Sequence, residues 1–468
     1  MDSKSRNRLL GVLFFGVLMG ALDIAIVGPA LKPIGAHFGV DSRSLQWVFT
    51  IYVLMNLVAT PLMAKLSDRV GRRPIYLLDV AFFAIGSLVA GLAPSFGVLV
   101  AGRALQGFGA GGIFPVATAV IGDTFPVEKR GGALGMIGAV WGLAFIIGPL
   151  LGMLLLGFGW QWIFFVNPPV ALLVMAASLK VMPATGRSGH VVFDWGGMAM
   201  LALMLGSLAL GLSQIDSSHL ASSLVSASVL PFLVLALVLV PVFWIIELRA
   251  ADPVVRPGLL RRKQLLLTDL LSLGTGLGEA SLVFIPSLAA VLLGMSAQSS
   301  SAMLLPVVLT MSVGTPMVGR LLDKIGSRLI IMSGGVLLAA GMLLMKVMTA
   351  DLLPFIVSGV LIGAGLSSLL GAPMRYIVLN EASPSERGAA QAVLSVFTSI
   401  GQLIGGTMVG AVASSYGGGA EGFTTAYAVI GVIALGLTFG GLFLKGRAEE
   451  MAETGAPQAL HPERSAGS

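Results

Sequence analysis

The sequence predicts an all-α membrane protein whose fourteen transmembrane helices form two pseudo-symmetric six-helix bundles with two further helices between them. Three observations predict this fold. The 468 residues are 56% hydrophobic and only 11% charged, whereas soluble domains carry about 25% charged residues. Apolar stretches long enough to cross a bilayer recur along the whole chain, and one polar loop pattern occurs twice, as it does in transporters built from repeats.

The apolar stretches are each roughly 20 residues long, which is the length that crosses the hydrocarbon core. We predict spans at 9–30, 46–65, 75–93, 97–120, 132–156, 162–181, 194–213, 226–247, 265–293, 301–321, 329–348, 352–374, 389–412 and 424–444. The first is too long for the apolar region of a signal peptide and lacks a clear small-residue cleavage site, so we expect it to be retained.

Basic residues are distributed unevenly between alternate loops. With the N-terminus placed inside, the outer loops hold only Lys32, Arg43 and Lys346, and Arg103 lies within a span. The other 24 of the 28 Lys and Arg residues fall in inner loops, in tails or at the inner ends of spans. The positive-inside rule therefore predicts a multi-pass protein of the bacterial cytoplasmic (inner) membrane with both termini cytoplasmic. It also accounts for the net charge of +6 without a nucleic-acid partner.

The longest inner loops, at about 182–193 and 248–264, divide the chain. We predict a six-helix bundle at 1–181, a linker with two extra helices at 182–264, a second bundle at 265–445 and a disordered tail at 446–468. A repeat supports this division. The loop AKLSDRVGRR at 64–73 and the loop GRLLDKIGSR at 319–328 occupy equivalent places in the two bundles and share Leu, Asp, Gly and Arg at matching offsets.

Several motifs carry a resemblance to a known family. They are ALDIAIVGPAL at 21–31, GRALQGFGAG at 102–111, AFIIGPLLGM at 144–153, WQWIFFVNPP at 160–169 and FDWGG at 193–197, besides the loop at 64–73. In this order they resemble the fourteen-helix drug:proton antiporter branch of the major facilitator superfamily, over nearly the whole chain. The sequence departs from the family pattern at Ala64, Ala144 and Met153, where Gly is usual, and at Gln161, where Arg is usual.

Three ionisable residues lie deep in predicted spans, where each costs about 2.5–3.5 kcal/mol to insert. At about 1.5 Å per residue, Asp23 and Glu279 each lie about 21 Å above the inner end of their helices. Arg103 lies about 9 Å below the outer end of its own helix, in the same layer. We expect all three to take part in proton coupling, a role that the resemblance also implies for Asp23 and Arg103. The structural alternatives are a static Asp23–Arg103 ion pair and a Glu279 that faces lipid or snorkels. Asp79 lies near the inner end of its span, so we expect its side chain to snorkel towards water.

Other residues have candidate roles in gating and binding. We expect a cytoplasmic gate in the two repeated loops, formed by Asp68, Gly71, Arg72, Asp323 and Arg328. The alternative is a solvated loop that only obeys the positive-inside rule.

Gly148, Pro149 and Gly152 resemble the antiporter motif and predict a tightly packed, bendable fifth helix. The alternative is that these residues serve helix packing alone. Gly274, Gly276, Gly278 and Pro286 predict a break in the ninth helix. The candidate residues of a substrate cavity are Tyr52, Asn56, Gln106, Trp141, Met311, Tyr376 and Gln402.

The sequence excludes several classes of function. It contains no cysteine and four histidines, so it predicts no disulfide, catalytic thiol or metal centre. It has no phosphate-binding loop or nucleophile triad, which indicates a protein that is not an enzyme and has no cofactor. Energy would then come from an ion gradient, with protons preferred and Na⁺ as the alternative.

The resemblance implies a proton-coupled antiporter that exports lipophilic or cationic small molecules by alternating access, acts among membrane lipids and is a monomer. Two alternatives remain open, namely a lipid or glycolipid exporter of the same fold and a membrane receptor that transports nothing.

Overall fold

The structure is a computed structural model that describes residues 3–183, 194–251, 253–347, 351–370, 372–382 and 386–450. These residues form helices joined by short turns. Thirteen helical segments of this described part are long and apolar enough to cross a membrane. The helix Val127–Leu156 has 30 residues, and the structure describes its backbone and some of its side chains. It is long enough to be one more membrane span. The predicted fourteen-helix fold is therefore confirmed.

We number the membrane helices α1–α14 and call the end at which α1 begins the inner end. The first bundle contains α1 Ser3–Phe38, α2 Trp47–Val70, α3 Arg72–Gly91, α4 Phe96–Thr124, α5 Val127–Leu156 and α6 Asn167–Val181. The two extra helices are α7 Trp195–Ser213 and α8 Leu230–Arg249. The second bundle contains α9 Lys263–Ser281, α10 Leu305–Ile325, α11 Ser327–Val347, α12 Leu352–Leu369, α13 Arg387–Ser415 and α14 Ala420–Gly441.

The two bundles pack their helices in the same order. In the first, α3 and α2 both pack on α4, α1 packs on α5, and α3 and α1 pack on α6. In the second, α11 and α10 both pack on α12, α9 packs on α13, and α11 and α9 pack on α14. Each contact of one bundle thus has its counterpart eight helices further along the chain, which is the pseudo-symmetry that the repeated loop predicts.

The repeated loops have the same backbone. Gly71 between α2 and α3 has φ +114°, and Gly326 between α10 and α11 has φ +82°. Both values lie in the region that favours glycine, so the shared Gly of the two loops allows the chain to reverse between consecutive helices.

The predicted break in α9 is present, and proline marks it. After Ser281 the chain forms a 3₁₀ turn, Leu282–Phe284, and resumes as the helix Ile285–Leu292, with Pro286 in its first turn. Proline cannot donate the backbone hydrogen bond that would continue the α-helix. Gly276 and Gly278, by contrast, lie inside regular helix, where they allow close packing.

The extra helices α7 and α8 pack on each other, and α7 also contacts α2 and α13. α7 therefore touches both bundles, whereas α8 exposes apolar residues such as Leu237 and Val238 on the outside. Of the predicted tail, the structure describes only 446–450, where the Ser327 hydroxyl donates to Glu450. The packed part of the second bundle therefore extends past the predicted boundary at 445.

The bundles meet tightly at their outer ends. The rings of Phe49 on α2 and Phe284 after α9 are 6.5 Å apart. The hydroxyls of Thr50 on α2 and Thr407 on α13 are 3.3 Å apart. On α1, a Cβ at Gly28 would lie 2.2 Å from the carbonyl oxygen of Val283. We call these contacts the outer seal.

Close packing of α9 on α13 gives the first prediction. A Cβ at Gly401 on α13 would lie 1.8 Å from the carbonyl oxygen of Leu273, and one at Gly276 on α9 would lie 2.0 Å from that of Thr398. We expect Gly401→Ala and Gly276→Ala each to destabilise the protein by about 1–3 kcal/mol through overpacking.

The matched control is Gly436→Ala on α14, where nothing lies within 4 Å of the added Cβ. It should be neutral or stabilise the helix by up to about 1 kcal/mol. Thermal unfolding of the purified proteins in detergent measures the difference. Equal unfolding temperatures for all three variants would contradict this packing.

Candidate functional site

A buried ion pair lies at the centre of the first bundle. Arg103 on α4 donates from Nη1 to Oδ2 of Asp23 on α1, and both side chains are fully buried. The described residues place no other charged group in contact with the pair, so each charge depends on the other for neutralisation. Removing one partner of such a pair leaves an uncompensated charge in a medium that does not solvate it.

Amide and hydroxyl groups from three helices surround the Asp23 carboxylate. Its Oδ1 accepts hydrogen bonds from Nε2 of Gln106 at 3.1 Å and from Nδ2 of Asn167 at 3.0 Å. The same two amides also donate to the Ser87 hydroxyl, at 2.5 Å and 3.2 Å. The carboxylate is thus held by residues of α4 and α6, and Ser87 of α3 holds the two amides in place. We call Asp23, Arg103, Gln106, Asn167 and Ser87 the polar cluster.

α2 completes the surroundings of Arg103. Its Nε donates to the carbonyl oxygen of Val48 at 2.9 Å, and its Nη1 also donates to Oε1 of Gln106 at 2.9 Å. The Tyr52 ring faces the guanidinium, with Cζ 4.3 Å from the ring centroid, a favourable cation–π distance. Nη2 is buried and has no hydrogen-bond partner among the described residues. The guanidinium therefore keeps unused donors in an otherwise satisfied site.

Charge balance links the polar cluster to the packing of its helices. A charged Asp23 accepts from Arg103, Gln106 and Asn167 and so joins α1 to α4 and α6. A neutral Asp23 would no longer balance the charge of Arg103, whose guanidinium would then favour another acceptor. The charge state of the pair and the arrangement of these helices are therefore coupled.

Glu279 of the second bundle lies at the depth of Asp23. The outer seal brings Gly28 of α1 against Val283 of α9. Both helices run from the inner end outward, so Asp23 lies about 7.5 Å and Glu279 about 6 Å on the inner side of that contact. Glu279 lies beside Gln402 of α13, and its side chain is partly buried. Both acids thus lie directly inside the outer seal.

The predicted cavity residues separate into groups. Tyr52 and Gln106 are fully buried in and around the polar cluster, so in this conformation they hold the ion pair instead of lining an open cavity. Asn56, Met311 and Gln402 are partly buried. Tyr376 packs in a small apolar cluster with Val318, Leu322 and Ile330 near the inner end of α10.

The fifth helix lies against α1 close to the ion pair. A Cβ at Gly148 would lie 2.5 Å from Cβ of Ala25, and one at Gly152 would lie 3.4 Å from Pro29. Ala25 is two residues from Asp23, so these glycines set how closely α5 approaches the helix that carries the acid. The side chains of Pro149 and Trp141 lie outside the described part of the structure.

The gate residues that the structure describes make contacts within their own half of the protein. Arg72 donates to Oδ2 of Asp123 at 3.0 Å and to the Ser67 hydroxyl at 2.7 Å, and all three belong to the first bundle. In the second loop a Cβ at Gly326 would lie 2.9 Å from Cβ of Arg447, which follows α14. These contacts do not test the gate, whose ion pairs across the two halves are expected only when the inner side is closed, so the role of Arg72 stays a prediction. Arg328 is partly buried, and the side chains of Asp68 and Asp323 are not among those described.

Sequence reasoning missed three features of the site region. Ser87 and Asn167 gave no sign of their role beyond the position of Asn167 in the sixth-helix motif. Asp79 was expected to snorkel, which is wrong. It is fully buried, and both carboxyl oxygens lack a partner in the described residues. The reason is Gly112 on α4, where a Cβ would lie 2.0 Å from Oδ2 of Asp79, so only glycine leaves room for this acid.

Comparison with known proteins gives the family context. The family model described as Major Facilitator Superfamily matches residues 13–191 and 268–465. The unmatched segment between these ranges contains α7 and α8. Multidrug resistance protein 3 of Bacillus subtilis (strain 168) is 31% identical over 419 residues, which are 88% of this chain and 80% of that protein. A triacylglyceride transporter of Mycolicibacterium smegmatis is 29% identical over 431 residues, 88% of this chain and 76% of that protein.

Solved structures agree with the fold. A bacterial homologue of the human lysosomal transporter Spinster, described as inward-facing and occupied, matches with a TM-score of 0.71 and 18% sequence identity. The match covers 94% of this chain and 98% of the other. At this identity the likeness shows a shared architecture alone.

The ion pair gives the second prediction. We expect Arg103→Gln to destabilise the protein by about 3–5 kcal/mol, because it leaves the Asp23 carboxylate buried without its counter-charge. Adding Asp23→Asn should recover most of this loss, since the remaining amides can bond to one another without a net charge. Thermal unfolding in detergent compares the variants. A double variant no more stable than Arg103→Gln would contradict this role of charge balance.

Proposed function

Because the chain belongs to the Major Facilitator Superfamily of transporters, we propose that it is a proton-coupled antiporter that exports lipophilic or cationic small molecules. It would work in the bacterial cytoplasmic membrane with both termini inside, as the charge distribution predicts. The bundles 1–181 and 265–445 would rock about a binding site between them and expose it to each side in turn.

The observation that carries the proposal is the position of two acids directly inside the outer seal. Asp23 is buried in the polar cluster, and Glu279 is partly buried beside Gln402. An acid in each bundle, at one depth, is suited to proton exchange that is linked to movement of one bundle against the other. Glu279, the more accessible of the two, would exchange its proton for a cationic substrate, since a carboxylate binds either but not both.

Asp23 would supply the conformational link. In the closed outer state it pairs with Arg103, and the amides of Gln106 and Asn167 saturate its second oxygen. Proton uptake from the outer side would neutralise Asp23 and free Arg103, which changes the relative energies of the two states. Release of that proton to the inner side would restore the pair. Each cycle would therefore move a proton inward as substrate moves outward.

The walls of the proposed chamber suit apolar substrates. Asn56, Met311 and Gln402 are uncharged, partly buried residues of both bundles. Flexible methionines and a small number of polar groups fit molecules of different shapes. The repeated loops with Asp68, Gly71, Arg72, Asp323 and Arg328 would form the cytoplasmic gate, whose contacts across the halves would arise when the inner side closes.

A lipid exporter is the second candidate, and the observation in its favour is the relative named as a triacylglyceride transporter. The two functions differ in the substrate alone. Proteoliposomes loaded with a cationic dye test the first, and a labelled lipid whose transfer between leaflets is followed by quenching tests the second. Lipid transfer without dye export would replace multidrug export with the lipid function.

The third prediction concerns coupling. In proteoliposomes with an imposed pH gradient, we expect Asp23→Asn and Glu279→Gln each to reduce dye transport to the level of protein-free liposomes, because neither amide binds a proton. Asp216→Asn, in the loop before α8, is the matched control. Hydrogen bonds from Ser218 lower the pKa of Asp216 to about 2, so it is ionised throughout and its loss should not affect transport. Gradient-driven transport in both amide variants would exclude proton coupling by these acids.

The fourth prediction concerns alternating access. The chain has no natural cysteine, and the Thr50 and Thr407 hydroxyls are 3.3 Å apart across the outer seal. We expect the double variant Thr50→Cys and Thr407→Cys to form a disulfide on oxidation, lose transport and regain it on reduction. The single variants under the same oxidant are the controls. Full transport by the completely cross-linked protein would exclude opening of this seal as a step.

A further inference from the structure

The inner end of the α7–α8 pair is the place where both linkers between the bundles meet. The linker from the first bundle enters α7 at Asp194, the residue that caps this helix. The linker to the second bundle leaves α8 just after Glu247, in the last turn of the helix. Asp194 is 8% exposed and Glu247 is 1% exposed, so two acids are buried at one junction.

Each of these acids uses one oxygen to hold its own linker. Oδ1 of Asp194 accepts from the backbone N–H of Gly197 at 2.7 Å and so caps α7. Oε2 of Glu247 accepts from the backbone N–H of Val255 at 3.0 Å and so folds the outgoing linker back on α8. The other two oxygens, Oδ2 of Asp194 and Oε1 of Glu247, are buried without a partner among the described residues.

The two unused oxygens converge on one point. A Cβ built on Gly197 would lie 2.2 Å from Oδ2 of Asp194 and 2.6 Å from Oε1 of Glu247. No other residue type fits at position 197 while both oxygens stay there. The carboxyl groups of two different helices therefore face each other across the small space beside the Gly197 backbone.

Two buried carboxylates that flank one point repel each other when both are ionised, which favours a cation between them. The cation of closest fit is a proton, because only two oxygens are free and divalent ions need about six ligands or retained water. The charged groups that act electrostatically on Glu247 are Asp194 and Lys65 on α2. Lys65 belongs to the repeated loop region, so the junction is linked to the proposed cytoplasmic gate.

We propose that Asp194 and Glu247 form a second proton-binding site, which holds one proton between Oδ2 and Oε1 and fastens the two linkers together. Loss of the proton leaves two facing negative charges, which push the start of α7 away from the end of α8. α7 packs on both α2 and α13, so the change reaches both bundles. The site lies at the inner end and responds to the pH on that side. It depends neither on the substrate nor on proton coupling through Asp23 and Glu279.

The experiment compares the full-length wild type with Glu247→Gln and Asp194→Asn in detergent, with Asp216→Asn as the control on the other end of the same helix pair. Asn remains a good helix cap, and each amide can donate to the partner carboxylate as the shared proton does. Infrared difference spectra at neutral pH should show that wild type contains a protonated carboxyl group that both amide variants lack and the control retains.

Thermal unfolding at about pH 6 to about pH 8 is the second measurement. A proton held by the folded state alone stabilises at low pH, and its contribution disappears as the pH rises. We therefore expect the unfolding temperature to decrease with rising pH more steeply in wild type and control than in the two amide variants. The difference between the two slopes should be about 1–2 °C per pH unit.

Two results would overturn the proposal. One is a set of infrared spectra and pH slopes that do not distinguish the amide variants from wild type. The other is a rise in the unfolding temperature of wild type on addition of Mg²⁺ at about pH 8 that Glu247→Gln does not show. That rise would assign the space beside Gly197 to a divalent cation instead of a proton.

Discussion

The burial of Asp23 with Arg103 is the constraint on which the rest of the first bundle depends. Both side chains are fully buried, so protein groups must supply hydrogen bonds that water makes at a surface. Groups on α2, α4 and α6 bond directly to the carboxylate or the guanidinium, and Ser87 on α3 accepts from the amides of Gln106 and Asn167. The pair therefore fixes the relative positions of most helices in the bundle, and a change in its protonation affects all of them.

Glycine makes this arrangement sterically possible. Helices in lipid gain no hydrophobic energy from association, so their contacts rely on close approach. A Cβ at Gly107 would lie 2.3 Å from the carbonyl oxygen of Tyr52, and one at Gly102 would lie 2.6 Å from the backbone nitrogen of Ala90. These contacts bring α2 and α3 against α4 at the level of Arg103. On α12, the counterpart of α4, a Cβ at Gly363 would lie 2.3 Å from the carbonyl oxygen of Val307 and one at Gly365 would lie 2.5 Å from the backbone nitrogen of Leu338, so one physical solution is used in both halves.

The described contacts at the two ends of the molecule differ, and this difference characterises the conformation of the structure. Phe49, Thr50 and Gly28 join the bundles at the outer end, directly above the layer of the two acids. At the inner end Arg72 instead binds Asp123 of its own bundle. The contacts across the outer seal and this ion pair within one bundle together characterise a single conformation.

The sequence by itself determined the fourteen-span fold, the two-fold repeat, the break near Pro286 and the deep positions of Asp23 and Glu279. These features depend on local composition and spacing, which hydropathy and loop chemistry report directly. Only the tertiary structure decided that Gln106 and Asn167 bond to Asp23, that Asp79 is buried and that Asp194 faces Glu247. In a membrane helix the apolar pattern does not say which side faces protein, because lipid and a packed interior accept the same residues. The direction of each polar side chain is therefore set by the neighbouring helices and not by its own segment.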